Sequence, residues 1–536
     1  MKKNIIAIII CILISCGMYY FLLPALNLTD PAFWSFLITN VMLWTFIITI
    51  ANIKNGPELI KNGEEFMQTG KMKKFKMPKA LSAIIVCVFL VPAIIVVINI
   101  AFSPVFNAKS YHKRIEVTDG DFKEDIKPVD FNKLALLDKA SSVKLGDKVM
   151  GQMTDLVSQY EVSYQYTQVS ANNKIQRVTP LEYASVIKYF TNRKDGVVGY
   201  ITVDSVSGES NLVRLDKGMK IMPSALFNED LARNLRFKYP TKIFENVNFE
   251  IDDEGNPYWI AQTIKYKGVG LKKEVSGVVV LDPITGDSKY YAAEKAPKWV
   301  DHVYNSDLVI EQLDHWGMYK NGFFNSIFGQ KEVTVTTAGY NYLEMDGDIY
   351  MYTGITSVAS DESNIGFVYT NLRTKETHFY NEPGAEEFSA MSSAEGQVQQ
   401  MEYVSTFPLL VNLNNKPTYI VSLKDNAGLV KTYAFIDYKD YQKVVTTDSA
   451  KGIEAAAESY LGDSVDISES LTKTIKIDEI KTSVVSGNTY YYIKSDKDVY
   501  KVKTKTNESI VPFLKVGQEI EITYKEGIIK NIVKIK

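Results

Sequence analysis

Cysteine stops at residue 87. The chain has three, Cys11, Cys16 and Cys87, so no disulfide staples the later sequence and no cysteine there can ligate a metal. Histidine is scarce, with His112, His302, His315 and His378 in 536 residues. None forms an HxxxH or HExxH pair, the spacing that sets two imidazoles on one helix face. A GxSxG serine elbow and a glycine-rich phosphate loop are also missing. A net charge of −3 gives no excess of one sign to attract a polyanion.

Charge is absent altogether from three stretches: Asn4–Leu23, Phe33–Asn52 and Leu81–Ala101. Each reaches the roughly 20 apolar residues that a membrane-crossing helix needs. Because they show almost no polar face, the pattern predicts transmembrane helices over 4–23, 33–52 and 81–101. The loop between the first two, PALNLTDPA, carries no Lys or Arg. The next loop, Ile53–Ala80, carries Lys54, Lys61, Lys71, Lys73, Lys74, Lys76 and Lys79. Positive charge stays cytoplasmic, so the N-terminus and the second loop are expected inside and the residues after about 101 outside, in a multi-pass protein of the cell membrane. A competing reading takes LISC at Leu13–Cys16 as a lipoprotein cleavage box, with lipid on Cys16 in place of the first span. The apolar GMYYFLLPAL after Cys16 argues against it. A cysteine-free outer part rich in Lys, Asn and Ile fits an AT-rich Gram-positive bacterium.

What fills the outer part is a recurring hairpin. GYITVDSVSGESNLV (199–213), GVVVLDPITGDSKYY (277–291) and GFVYTNLRTKETHFY (366–380) each run strand, Asp or Asn, tight turn, strand. TYAFIDYKDYQKVV (432–445) is a weaker fourth copy. Asp204, Asp282, Asn371 and Asp437 align, as do Gly208, Gly286 and the variant Lys375. Asp or Asn opening a turn bonds backbone two residues on, and glycine closes it at positive φ. Lys375 must therefore accept a positive φ or use another loop. A second hairpin precedes the first kind at 249–263, 342–354 and 409–423, and helical stretches at 228–240, 297–317 and 384–403 lie upstream. Phe388, Met391, Val398 and Met401 in the last recur at roughly helical spacing. The unit therefore reads helix, hairpin, hairpin, although roughly 115–216 fits it poorly at its front.

The segment PYWIAQT followed by VVVLDPITGDSKYY resembles the end of a PepSY-type domain. The resemblance rests on Val278–Leu281, Asp282, Thr285 and Gly286, and would extend over about 220–450. It implies a helix packed on a small sheet, and a role in regulating or assisting extracytoplasmic enzymes. It implies no catalytic residues.

Beyond a polar joint at 463–475 the sequence alternates apolar and polar residues. Five strands are expected, at 475–484, 488–494, 498–504, 518–524 and 528–535. LKVGQEIEI, with Gly517 at a bend, resembles a strand of an OB-like barrel. Its interleaved Lys and Tyr, as in YYYIKSDKDVYKVKTKT (490–506), could hold a single-stranded nucleic acid. An outer location disfavours that, and strand tyrosines are ordinary sheet residues.

Acidic groups cluster at Asp252, Asp253 and Glu254, at Asp346 and Asp348, and at Asp361 and Glu362. A hydrolase would need Asp252, Asp253, Asp346 and Asp361 to converge, but each cluster sits where a turn is expected. S-x-x-K occurs at Ser110–Lys113, Ser141–Lys144 and Ser470–Lys473 without partner motifs. Abundant Tyr and Phe could stack on glycans, against the plainer role of cross-strand pairing.

The expected architecture is thus N-terminal transmembrane helices followed by α+β: tandem helix-on-antiparallel-sheet repeats and a small C-terminal β-barrel. The expected boundaries are an anchor at 1–101, a first α+β unit at 102–219, tandem PepSY-like repeats at 220–462 and an OB-like barrel at 463–536. No catalytic, cofactor-binding or metal residue is assigned, and no cofactor. The expected role is an extracytoplasmic scaffold or regulator of the bacterial envelope that binds another envelope protein. An envelope hydrolase with a carboxylate site and a cell-wall glycan binder are the alternatives. The expected partners are the lipid bilayer and that envelope protein, with glycan possible and nucleic acid disfavoured.

Overall fold

The computed structural model describes residues 2–52, 79–172, 174–358, 363–461, 471–485, 488–504, 510–525 and 527–535. The lysine-rich loop, Asp361, Glu362, Ser470 and most of the joint at 463–475 lie outside the described residues. The chain divides into two compact units, one of residues 1–120 and 132–386, the other of 121–131 and 387–536.

The first unit begins with helices α1 (Lys2–Leu22), α2 (Pro31–Asn52) and α3 (Lys79–Phe102). Asp30 caps α2 by accepting from Ala32 N at 2.9 Å, and Pro31 presets its first turn. Two windows are long and apolar enough to cross a membrane: Ile5–Leu22, mean hydropathy 2.6, and Pro31–Ile48, 1.6. Val88–Phe102 and the following helix α4 (Pro104–His112), bent by 50°, make a third if the bent pair is one span. Between α1 and α2, Trp44 Nε1 donates to Ser15 Oγ at 2.8 Å, and Ser15 donates to Asn40 Oδ1 at 2.6 Å. Where lipid offers no partner, such bonds favour helix association. Cys16 lies inside α1 with its side chain exposed.

Three antiparallel sheets follow. The first joins β1 (Tyr160–Val162), β2 (Thr167–Ala171), β3 (Lys174–Tyr183), β4 (Val197–Asp204) and β5 (Ser210–Met219) in the order β1-β3-β4-β5, with β2 also on β3. Helices α5 (Lys139–Gln152) and α6 (Val186–Asn192) belong to this region. Next come α7 (Leu231–Lys238) and a meander of β6 (Ile243–Ile251), β7 (Pro257–Tyr266), β8 (Lys273–Leu281) and β9 (Ser288–Ala292). One core serves both sheets: Val178, Ile201 and Val203 pack with Leu231, Leu235, Phe249, Trp259 and Val279. The third sheet holds β10 (Thr334–Thr336), β11 (Asn341–Met345), β12 (Asp348–Ser357), β13 (Gly366–Asn371) and β14 (Thr377–Tyr380). Thr118–Asp119 adds to β14 in parallel. Helix α8 (Ser306–Met318) drives Val309 and Leu313 into this sheet's core beside Ile349, Met351 and Val368.

The turn chemistry recurs four times. Asp204, Asp282, Asn371 and Asp437 each accept from the backbone N–H groups two and three residues on, at 2.7–3.3 Å. In the first three, the N–H four residues on returns to the same residue's carbonyl. Gly208 and Gly286 hold φ of +76° and +80°, and Lys375 adopts the same region at +68°.

Two helical expectations need correction. Residues 297–305 are not helical: Asn305 caps α8 by accepting from Leu308 N at 2.8 Å, so the helix starts only at Ser306. His302 therefore stands off the helix, while His315 is on it. In the second unit, α9 (Glu387–Gln397) turns Ala390 and Ala394 inward, and Phe388 and Met401 are exposed. Small residues let that helix approach its sheet closely, which the spacing of the larger side chains obscured.

That second-unit sheet joins β15 (Leu409–Leu413), β16 (Lys416–Lys424), β17 (Val430–Asp437) and β18 (Val444–Asp448), with α10 (Ile453–Leu461) packed by Ala456 and Ala457. The last sheet has six strands where five were expected: β19 (Leu471–Lys476), β20 (Glu479–Val485), β21 (Asn488–Ser495), β22 (Asp498–Lys503), β23 (Glu519–Lys525) and β24 (Ile528–Ile535). The expected first strand bends at Ile477–Asp478, where Ile477 N donates to Gln518 O and Asp478 N to Lys494 O. Its halves become the two edges of the order β19-β23-β24-β22-β21-β20. Among the described residues no ladder joins β19 to β20, so the pairing path stays open rather than closing into a barrel.

Candidate functional site

Among the described residues, the acids singled out in the sequence are engaged at turns or in an ion pair. Asp252 accepts from Glu254 N at 3.1 Å and Asn256 N at 2.8 Å, and Asp253 accepts from Asn172 N at 3.1 Å. Asp346 holds a positive φ of +55° between β11 and β12. Asp348 forms a bidentate pair with Arg373, both contacts at 2.6 Å. Among the described residues no group of three or more His, Cys, Asp or Glu could hold a metal ion.

A different acid pair is buried. Glu250 on β6 and Asp301 are both sealed from solvent. Glu250 accepts from Asp301 N at 2.9 Å and from His302 Nδ1 at 3.2 Å. Asp301 Oδ2 accepts from Ser170 N at 2.7 Å, while its Oδ1 has no hydrogen-bond partner among the described residues. Burial pushes the Asp301 carboxyl well up, and the Glu250 charge adds to that. With no exposed edge, the pair braces β2 and β6 and offers nothing to a substrate. Nothing in its neighbours marks the pair: Glu250 sits between Phe249 and Ile251 at the end of β6, where all three residues are buried.

The more telling cluster is at the junction between helices and sheets. Arg114, two residues past α4, has a fully buried side chain. Its Nε meets Glu274 Oε1 at 3.1 Å, and its Nη1 meets Glu311 Oε1 at 2.5 Å and His315 Nδ1 at 2.6 Å. Its Nη2 donates to the Lys273 carbonyl. Lys375 Nζ donates to the Arg114 carbonyl at 2.6 Å and lies 3.9 Å from Glu274. Two cations thus face two carboxylates, one from β8 and one from α8. Arginine can only donate, so His315 Nδ1 must accept and the imidazole is neutral. Burial and then the Arg114 charge depress the His315 pKa to about 4, against an opposing pull from Glu311. Lys375, the odd residue of the turn comparison, is held here, and burial lowers its pKa. Among the other histidines, His112 Nδ1 bonds the Trp316 carbonyl at 2.6 Å and His378 meets Glu376 at 3.1 Å.

A second junction lies under the α1–α2 loop. Leu26 N donates to Pro240 O at 2.8 Å, and buried Arg236 donates from Nε to Leu23 O at 2.9 Å. Gly270 N donates to Thr29 O at 3.0 Å. Asn99 of α3 and Val269 exchange two hydrogen bonds of 2.9 Å. The α1–α2 loop and the end of α3 therefore grip the same β7–β8 turn.

In the last sheet, Lys501 lies 4.2 Å over the Tyr490 ring and 5.9 Å from Tyr492. Lysines of one strand thus cover tyrosines of the next, the ordinary cross-strand arrangement.

No family model matches the chain, and no curated protein matches it. Among solved structures the chain is similar to the Bacillus megaterium YpeB C-terminal domain, at 12% identity over 44% of this chain and 98% of that one, with a TM-score of 0.10. A TM-score that low carries no argument about fold or role.

Proposed function

We propose that the protein is a membrane-anchored scaffold or regulator of the bacterial cell envelope, acting by protein–protein binding through its outward α+β units. The observation that carries this is the double clamp. Arg114 and the α1–α2 loop fix the sheets of the first unit to the apolar helices, whereas Asp252, Asp253 and Asp346, three of the acids a hydrolase would need, sit at separate turns, and the Glu250–Asp301 pair is sealed. A rigid mount of this kind suits presentation of surface more than turnover.

The orientation we propose puts the N-terminus and the lysine-rich loop in the cytoplasm. It is supported by the α1–α2 loop and the α3 end gripping one turn of the body, since both then share the body's side. The four matching turns support reading the hairpins as PepSY-like repeats. For the last sheet we favour an OB-like reading, because one bent strand supplies both edges and β22 pairs with β24 in parallel. Many tyrosines, including Tyr200, Tyr352, Tyr369 and Tyr419, are wholly buried, which favours sheet packing over glycan stacking.

Crosslinking in intact membranes followed by capture of the full chain tests the role. A defined envelope protein should be recovered. Recovery of none at several expression levels would contradict the proposal.

A further inference from the structure

The first unit leaves two apolar tips uncovered, and each is continuous with the end of a membrane helix. The first follows α8. Tyr111 of α4 donates from its hydroxyl to Phe102 O at 3.1 Å, at the end of α3. The Tyr111 ring packs edge-on against Tyr319 at 6.1 Å, Tyr319 stacks on Phe323 at 6.3 Å, and Phe323 meets Phe324 at 5.6 Å. This chain of rings leads from the last residue of α3 to the short helical segment at 323–329. There Phe324 is 64% exposed and Phe328 79%, with Ile327 between them also exposed. Phe106 of α4, one turn from Phe102, is 70% exposed. Lys320, which pairs with Glu332 at 3.0 Å, and Lys331 flank the segment and face solvent.

The second tip hangs from the end of α1. The Arg233 guanidinium lies 4.2 Å over the Tyr20 ring, and its Nη1 donates to Phe227 O at 2.7 Å. Phe227 packs on Phe190 of α6 at 6.3 Å. Ile187 of that helix is 71% exposed, and Val186 and Phe190 are exposed beside it.

We propose that both tips dip into the lipid headgroup region on the body's side of the membrane, so that the first unit rests on the bilayer as well as hanging from it. Continuity with the membrane helices selects lipid over a protein partner. Each tip is reached from a helix end through packed side chains, and aromatic rings with flanking lysines are the side chains that settle at a membrane interface. Exposed apolar groups of this size on a water-facing surface would favour aggregation. The proposal rests on the membrane-spanning reading of the helices.

The test uses the full chain in nanodiscs containing phosphatidylglycerol, with Cys11, Cys16 and Cys87 changed to alanine. Nitroxide labels are placed singly at Phe328→Cys, Ile187→Cys and, as the lipid reference, Leu13→Cys. Collision rates with oxygen and with a water-soluble nickel chelate are compared with those of the free label in buffer. Labels at 328 and 187 should lose nickel collisions several-fold and gain oxygen collisions, like the label at 13. Nickel access like that of the free label, with 13 shielded, overturns the proposal alone. Nickel access at 13 overturns the spanning reading and the proposal with it. Shielding from both reagents at 328 or 187 means that protein covers the tip, which also contradicts lipid contact.

Discussion

At the scale of the residue, Arg114 is the side chain whose loss should cost most. Arg114→Ala leaves the largely buried Glu274 with only Lys375 at 3.9 Å, and breaking a buried ion pair on one side costs up to about 3–5 kcal/mol, less here because Glu311 is part-exposed and solvated. Thermal unfolding of the full chain in detergent should show a markedly lower midpoint. Two separate groups, His315 beside Arg114 and Asp301 beside Glu250, set opposing pH responses. His315 is neutral in the fold because its pKa falls from 6.5 to about 4. A base depressed on folding stabilises above its unfolded pKa, and that stability is lost as pH falls from 6.5 towards 4. One pKa unit is about 1.4 kcal/mol, so the loss reaches roughly 3 kcal/mol before solvent screening reduces it. His315→Gln should flatten that slope in unfolding experiments run across pH. Asp301 works the other way. Its raised pKa means the fold holds a proton the unfolded chain has released, so stability falls as pH rises above the usual carboxylate range. Asp301→Asn keeps an acceptor for Ser170 N and should raise the unfolding midpoint at pH 7. Neither response was legible in the sequence, because each depends on what a distant strand or helix brings beside the group.

At the scale of the element, tight turns were the most legible feature. An Asp or Asn turn is closed by bonds within a few residues, so its chemistry is written locally. That logic extends to Lys375, whose positive φ follows from its place in the turn even though lysine rarely adopts one. Helix limits were less legible. The stretch 297–317 is expected as one helix, yet the cap at Asn305 divides a non-helical segment from a helix that starts at Ser306. The strand expected at 475–484 bends at Ile477–Asp478, where the apolar phase shifts from Ile475 and Ile477 to Ile480. Two glycines separate backbone strain from crowding. Gly286 holds φ +80°, and an added Cβ would meet nothing closer than Ile221 at 3.6 Å. Gly286→Ala should therefore cost only the left-handed penalty, about 1–2 kcal/mol. Gly270 holds φ +71°, and its added Cβ would sit 2.4 Å from Pro31 Cγ. Gly270→Ala should cost more, and should expose the α1–α2 loop to limited proteolysis that Gly286→Ala leaves unchanged.

At the scale of the whole molecule, the apolar helices were legible because lipid demands a long uncharged run, a requirement no tertiary contact can hide. The grip between those helices and the β7–β8 turn was not, since Asn99, Thr29 and Gly270 carry no signal until folding brings them together. That grip ties the sidedness of the α1–α2 loop to the sidedness of the body. Protease added to intact wall-stripped cells, with tags at the N-terminus and after residue 461, measures it directly. The body and its tag should be digested, while the N-terminal tag and the lysine-rich loop stay protected until the cells are opened. A body that survives in intact cells, with the N-terminal tag removed, would contradict an envelope scaffold facing outward.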